Sequence, residues 1–139
     1  MMAKRKIPEN NRYFTYHNAN PKDRVTSDCV VRALAYANDM TWDEVFFELC
    51  SIGINKKLMP NNEKVYEQFL KDRGWRKQKQ PVNDDGTKYR AFNFCNVIAR
   101  PENRYIISMR RHLTVIANKK VVDIWDCSKE VVGVYWTRP

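Results

Sequence analysis

Three residue types that together can carry out nucleophilic acyl transfer occur in this sequence in the order Cys29, His112, Asp123. Cys29 lies in Thr26-Ser27-Asp28-Cys29-Val30-Val31-Arg32-Ala33-Leu34-Ala35, where Thr26 or Ser27 can N-cap the helix that the following residues favour. A cysteine in the first turn of a helix faces unpaired backbone N–H groups and the positive end of the macrodipole, which favour thiolate over thiol. A free cysteine is otherwise most often a small buried hydrophobe. The chemistry therefore depends on whether the fold brings a base to Cys29.

His112 is the candidate base, and the register of its hairpin follows from the turn. Asn118-Lys119 reads as a two-residue connection between strands 112–117 and 120–126. That turn pairs Ala117 with Lys120, Ile116 with Val121, Thr114 with Asp123 and His112 with Trp125. Opposed residues share a face, so His112, Thr114, Asp123 and Trp125 point the same way and Asp123 lies diagonal to His112. Asp126 falls on the other face; a three-residue turn would exchange the two and make Asp126 the partner. A carboxylate at one ring nitrogen fixes the tautomer and stabilises the imidazolium, leaving the other nitrogen to take a proton. Trp125 over the pair would keep water from competing for that hydrogen bond. The second histidine, His17, sits in an Asn-rich loop and reads as exposed and idle.

The elements that must position these residues can be read from periodicity and punctuation. Residues 1–24 form an extended basic arm with Pro8 and Pro21, pinned to the body by Tyr13, Phe14 and Tyr16. The Cys29 helix runs to Asn38 with Val30, Ala33, Leu34 and Ala37 on one face. Thr41-Trp42-Asp43-Glu44 has the form of a capping box and opens a second helix, whose inward residues are Val45, Phe46, Leu49 and Cys50 and whose C′ glycine is Gly53. A third helix spans 62–73, with Val65, Tyr66, Phe69 and Leu70 as its buried stripe and Gly74 as its stop. Turn chemistry follows at Gln80-Pro81 and Asn83-Asp84-Asp85-Gly86; residues 88–98 suit either a short helix capped by Thr87 or a strand, and the helix is favoured. Strands are expected at 104–108, 112–117, 120–126 and 131–136. The fold class is α+β: a helical first half carrying the cysteine and an antiparallel sheet carrying the histidine and the aspartate.

Composition bounds the rest. A chain of 139 residues, 43% hydrophobic and 12% aromatic, suits one folded domain over residues 1–139 and argues against disorder. No apolar run approaches the roughly 20 residues of a membrane span, and the basic start lacks the apolar core of a signal peptide, so a cytoplasmic protein without membrane contact is expected. The cysteines, Cys29, Cys50, Cys95 and Cys127, show no CxxC pair; they read as reduced thiols, with neither a disulfide framework nor a metal or other cofactor implied. A net charge of +9 favours contact with nucleic acid or an acidic protein surface. The positive residues cluster only at Lys4-Arg5-Lys6, Arg76-Lys77-Gln78-Lys79 and Arg110-Arg111, and scattered charge also serves solubility.

With these residues in view, the chain from about 20 to 136 resembles the papain-like cysteine peptidases in their smallest form, the C39-like peptidases and small proteins of low-GC bacteria and their phages. The resemblance is carried by Asp28-Cys29-Val30-Val31-Arg32-Ala33 at the nucleophile helix, Arg104-Tyr105-Ile106-Ile107 on the preceding strand, His112-Leu113-Thr114-Val115-Ile116 on the base strand and Asp123-Ile124-Trp125 on the orienting strand. This last tripeptide parallels the Asn-Ser-Trp of papain, with Asp in place of Asn. The resemblance implies a Cys29–His112–Asp123 triad and a thiol-dependent peptidase or amidase acting on a polypeptide substrate. The glutamine that such enzymes place ahead of the cysteine is replaced by Pro21-Lys22-Asp23-Arg24-Val25. Oxyanion donors are therefore expected from the Cys29 backbone N–H and from Asn20 or Thr26. The alternative is an inactive papain-like scaffold, used as a basic nucleic-acid-binding, host-factor-binding or virion structural protein, which the +9 charge favours.

Overall fold

A computed structural model describes residues 6–139. Of the three basic clusters, the Lys4-Arg5 part of the first lies outside the described residues. The chain is α+β, with four helices and one six-stranded mixed sheet. In chain order the elements are β1 (Phe14–Tyr16), α1 (Cys29–Asn38), α2 (Trp42–Lys56), α3 (Glu63–Asp72), β2 (Arg76–Gln78), α4 (Ala91–Val97), β3 (Arg104–Met109), β4 (His112–Ala117), β5 (Lys120–Asp123) and β6 (Tyr135–Thr137). Among the described residues no helix is long and apolar enough to cross a membrane.

The helical half forms for the reasons its sequence offers, with three adjustments. Asp28, rather than Ser27 or Thr26, occupies the N-cap of α1, and its side chain makes no capping bond because it is turned inward. Cys29 is consequently the first helical residue. At α2 the capping box closes in both directions, Thr41 Oγ1 accepting from the Glu44 N–H and Glu44 accepting from the Thr41 N–H. That helix continues one turn past Gly53 and ends with Lys57 in the left-handed conformation. Gly53 is instead a point of close approach, since a Cβ there would lie 2.5 Å from the Leu58 carbonyl oxygen. Phe46 is not inward either; it is 41% exposed and stacks on Trp42. Asn62 caps α3, and α4 starts after Arg90 rather than after Thr87, which bonds Asp85 in the preceding turn.

The sheet order is β1-β5-β4-β3-β6-β2. Its centre is the predicted antiparallel meander, with the Asn118-Lys119 turn in place: both residues have positive φ, as a two-residue hairpin of the favoured twist requires. Ala117 pairs with Lys120, Ile116 with Val121 and Val115 with Val122. The sheet is not purely antiparallel, however. Phe14–Tyr16 of the arm adds an edge strand parallel to β5, and Arg76–Gln78 pairs with β6 at the far edge. The last two strands are also shorter than expected, β5 ending at Asp123 and β6 beginning only at Tyr135.

Burial divides along the pleat. Ile106, Leu113, Val115, Val122 and Trp136 join the helices α1 to α3 in one core cluster. Tyr105, Ile107, Ile116 and Val121 join α4 and the fully buried Phe14 in a second. The two faces of the sheet thus carry separate apolar layers, and α1 packs across β4.

Gly53→Ala is predicted to destabilise the protein. At an ordinary helix-interior site this change stabilises by about 1 kcal/mol, but here the new methyl group meets backbone. Urea unfolding should show a lower midpoint for the variant; a higher one would mean that the close approach to Leu58 does not exist.

Candidate active site

Register places His112 at the first position of β4 and Cys29 at the first position of α1, the helix that packs on that strand. The two ends meet: Cys29, His112 and Leu113 line one cleft, where the imidazole and the Leu113 backbone N–H lie close enough to Cys29 to lower its thiol pKa. On the other side of the ring, His112 Nε2 lies 2.7 Å from Asp123 Oδ2, which leaves Nδ1 for the thiol. Trp125 meets the His112 ring edge-on, with centroids 5.0 Å apart and planes at 74°, and remains 44% exposed as the outer cover of the pair. Asp126 is elsewhere, accepting from Asn11 Nδ2 and the Ser128 N–H. The even-length turn therefore selects Asp123 as the orienting carboxylate.

Asp123 is buried and both its oxygens are satisfied. Oδ2 accepts from His112 and, at 2.7 Å, from Thr114 Oγ1; Oδ1 accepts from Arg32 Nη1 and from the Ile124 N–H, each at 2.7 Å. Burial alone would raise its pKa, but His112, Thr114 and Arg32 hold the carboxyl below the usual range. An anion at this position makes Nε2 a donor. Burial likewise disfavours a charged His112, yet the Asp123 hydrogen bond and charge, with the Cys127 and Cys29 sulfurs close by, push its pKa up to about 11. Burial raises Cys29 too, but the His112 hydrogen bond, the Leu113 N–H and the charges of His112 and Arg32 bring the thiol below its ordinary value. Each shift favours a thiolate beside an imidazolium.

Arg32 is the feature that the sequence pattern did not assign. It is 8% exposed, and its guanidinium bridges Asp28 Oδ1 through Nε at 2.8 Å and Asp123 Oδ1 through Nη1. Asp28 Oδ2 accepts in turn from Trp42 Nε1 at 2.9 Å and Asn20 Nδ2 at 3.2 Å. The signal was present as an Asp and an Arg four residues apart on α1, but the longer reach to β5 is a tertiary contact.

The expected oxyanion side chains are not at the nucleophile. Asn20 is committed to Asp28 and lines a different groove with His17, Tyr36 and Trp42, and Thr26 contributes a backbone carbonyl to the Asp28 N–H. The cleft that contains Cys29 and His112, about 360 Å³ in volume, is walled instead by Ser27, Asn61, Glu63, Tyr66, Met109 and Arg111, among others. Ser27, Asn61 and Ser108 are the neutral hydrogen-bonding side chains of the cleft that holds Cys29, whose N–H, as a first-turn donor, has no partner within the helix. Tyr66 is a further neutral donor there, its pKa pushed up to about 12 by burial and by the Glu63, Glu67 and Cys29 charges.

The donor atoms of His112, Asp123 and Cys127 lie within 4.8 Å of one another, the one such grouping among the described residues. Asp123 Oδ2 in this group already accepts from His112 Nε2 and Thr114 Oγ1, so an ion bound there would compete with those two hydrogen bonds. No protein-family model, curated protein or solved structure matches this chain significantly.

Removing Arg32 leaves two buried carboxylates without their shared cation. Arg32→Met is expected to cost roughly 3–5 kcal/mol, measured by chemical denaturation. A loss under about 1 kcal/mol would show that the guanidinium does not hold α1 to β5.

Proposed function

We propose that this protein is a thiol-dependent acyl-transfer enzyme, a papain-like cysteine peptidase or amidase acting on a polypeptide substrate. The observation that carries the reading is the continuous chain Cys29, His112, Asp123, in which the base touches the nucleophile on one side and an anionic orienter on the other. The resemblance in element order, with the nucleophile at the start of a helix and the base and orienter on adjacent strands, supports the same class.

His112 holds the thiol proton and Cys29 attacks an amide carbonyl carbon. The carbonyl oxygen becomes an oxyanion at the start of α1, where the Cys29 N–H can donate to it. Collapse of this intermediate breaks the C–N bond as His112 passes its proton to the departing amine, leaving a thioester on Cys29. Water then loses a proton to His112 and attacks the thioester, releasing the acid and the thiolate. Asp123 remains ionised throughout, since its task is to hold the ring and offset the imidazolium charge.

The +9 charge favours a second reading, a scaffold that binds a polyanion. Binding dominated by phosphate contacts would weaken steeply between low and moderate salt, whereas alkylation of a thiolate would change little.

The deciding experiment is the rate of iodoacetamide modification of each cysteine against pH, in the native protein and in His112→Ala. Cys29 is lowered and His112 raised, so the ion pair occupies the window above the Cys29 pKa and below about 11. Cys29 should react first, with its half-maximal rate below the ordinary thiol pKa of about 8.5. Without His112 the half-maximum should move up towards that value or beyond it, because burial is then less opposed. Cys95 and Cys127, both raised by burial, should lag behind. Coincident profiles for the two proteins would remove the ion pair and with it the catalytic reading.

A further inference from the structure

The Arg110-Arg111 pair plays no part in the triad, yet it forms the turn that delivers His112. Met109 pairs with His112, so the two arginines are the whole of the β3–β4 connection. Arg111, the second of them, has φ of 54°, while Arg110 is not among the positive-φ residues. That combination belongs to a turn that ordinarily takes glycine or asparagine at its second central position. The two side chains part company. Arg110 lines a groove with Gln80, Glu130 and Val131, where Glu130 supplies an opposite charge. Arg111 lines the cleft of Cys29 and His112, and among the described residues it has no hydrogen-bond or ion-pair partner. The acidic residue of that cleft, Glu63, stands on α3 and faces Lys77 at 4.0 Å.

The chemistry of the site gives this position a direction. His112 must pass its proton to the departing amine, so the leaving portion of the substrate lies on the His112 side of the cleft. Arg111 is the residue next to His112. A guanidinium presents a planar fork of N–H donors that matches the two oxygens of a carboxylate. We infer that the cleft selects substrates whose leaving portion carries a carboxylate close to the bond attacked, bound by Arg111. The inference rests on the proposed function. The carboxylate can come from an acidic side chain or from the chain terminus of a short leaving fragment, and the two sources share the same recognition.

The test uses alkylation, which reads the anion site without requiring turnover. Cys29 is modified with iodoacetate and with iodoacetamide, reagents that differ in a carboxylate against a neutral amide, and the ratio of rates is referred to that of a small free thiol. Arg111→Asn suits the left-handed backbone and removes the charge; Arg111→Lys keeps the charge without the fork. The ratio in the native protein should fall about 2- to 5-fold in Arg111→Asn, as expected for losing one partly exposed charge pair. It should fall less in Arg111→Lys, with the iodoacetamide rate within about twofold throughout. An unchanged ratio in Arg111→Asn overturns the inference. Failure of the catalytic reading shows separately, in an iodoacetamide pH profile like that of an ordinary thiol. Protection of Cys29 by matched peptides identifies the source. One peptide has a free terminal carboxylate, one an aspartate with an amidated terminus, and one is neutral. Protection by either anionic peptide that is lost in Arg111→Asn supports the inference. Equal protection by all three in both proteins sinks it.

Discussion

The carboxylate of Asp123 is the point on which the rest of the molecule depends. Four nitrogen and oxygen donors converge on its two oxygens, Arg32 from α1, His112 and Thr114 from β4 and the Ile124 N–H at the end of β5, with the Cys127 thiol as a longer fifth. Its backbone carbonyl also accepts from the His17 N–H, which ties the arm to the same residue. A buried carboxylate held by fewer partners would protonate, since the desolvation of the charged form opposes every one of these contacts. Once it is ionised, the charges alternate along a continuous line: Asp28, Arg32, Asp123, His112, Cys29. Each member stabilises its neighbours, and each would be a costly isolated charge without them. Arg32 therefore has two effects on the site. It keeps Asp123 anionic, and it takes Oδ1 so that Oδ2 is left to aim at the ring.

The line also explains why α1 and the sheet are held in one register. The apolar contacts of Val30, Ala33 and Leu34 with Leu113, Val115 and Val122 fix α1 on the sheet face but are tolerant of small slides. A bridging guanidinium with Nε on Asp28 and Nη1 on Asp123 is not tolerant, because both bonds are directional. Nonpolar burial supplies the stability and the polar line supplies the position. The end of α1 then meets the end of β4 at the one place where a first-turn thiol and an imidazole can share a proton.

Much of this was legible before any coordinates. The capping box of α2, the extent of α1 and the two-residue Asn118-Lys119 turn are local signals, and the turn alone carries His112, Thr114 and Asp123 onto one face. The elements that local signals could not supply are those made by distant partners. A three-residue strand such as Phe14–Tyr16 has no period to detect, and its parallel pairing with β5 joins residues more than 100 positions apart. Gly53 was read as a stop because glycine commonly ends helices, whereas its smallness serves contact with the Leu58 carbonyl. Asn20 and Thr26 are near Cys29 in sequence, and nearness in sequence alone does not place them at its thiol. The arm instead turns Asn20 towards Asp28, and the cleft is walled by Ser27 and by Asn61 from the α2–α3 connection.

The site contains a comparison of its own. Two thiols, Cys29 and Cys127, lie beside His112, and their pKa values move in opposite directions. Cys127 is fully buried with its sulfur 3.9 Å from Asp123 Oδ2, so that desolvation and the neighbouring anion outweigh the imidazolium and the proton stays on. Cys29 is only half-buried and opens on the cleft. Its sulfur meets the Leu113 N–H and the fields of His112 and Arg32, and these outweigh desolvation. Contact with the base therefore does not by itself make a nucleophile. What separates the two cysteines is which side of the imidazole they occupy: the Asp123 side favours a neutral thiol, and the helix side, open on the cleft, favours a thiolate. The ring divides a buried sulfur from a half-buried one that opens on the cleft, and Asp123 sets that polarity by lying on only one side of it.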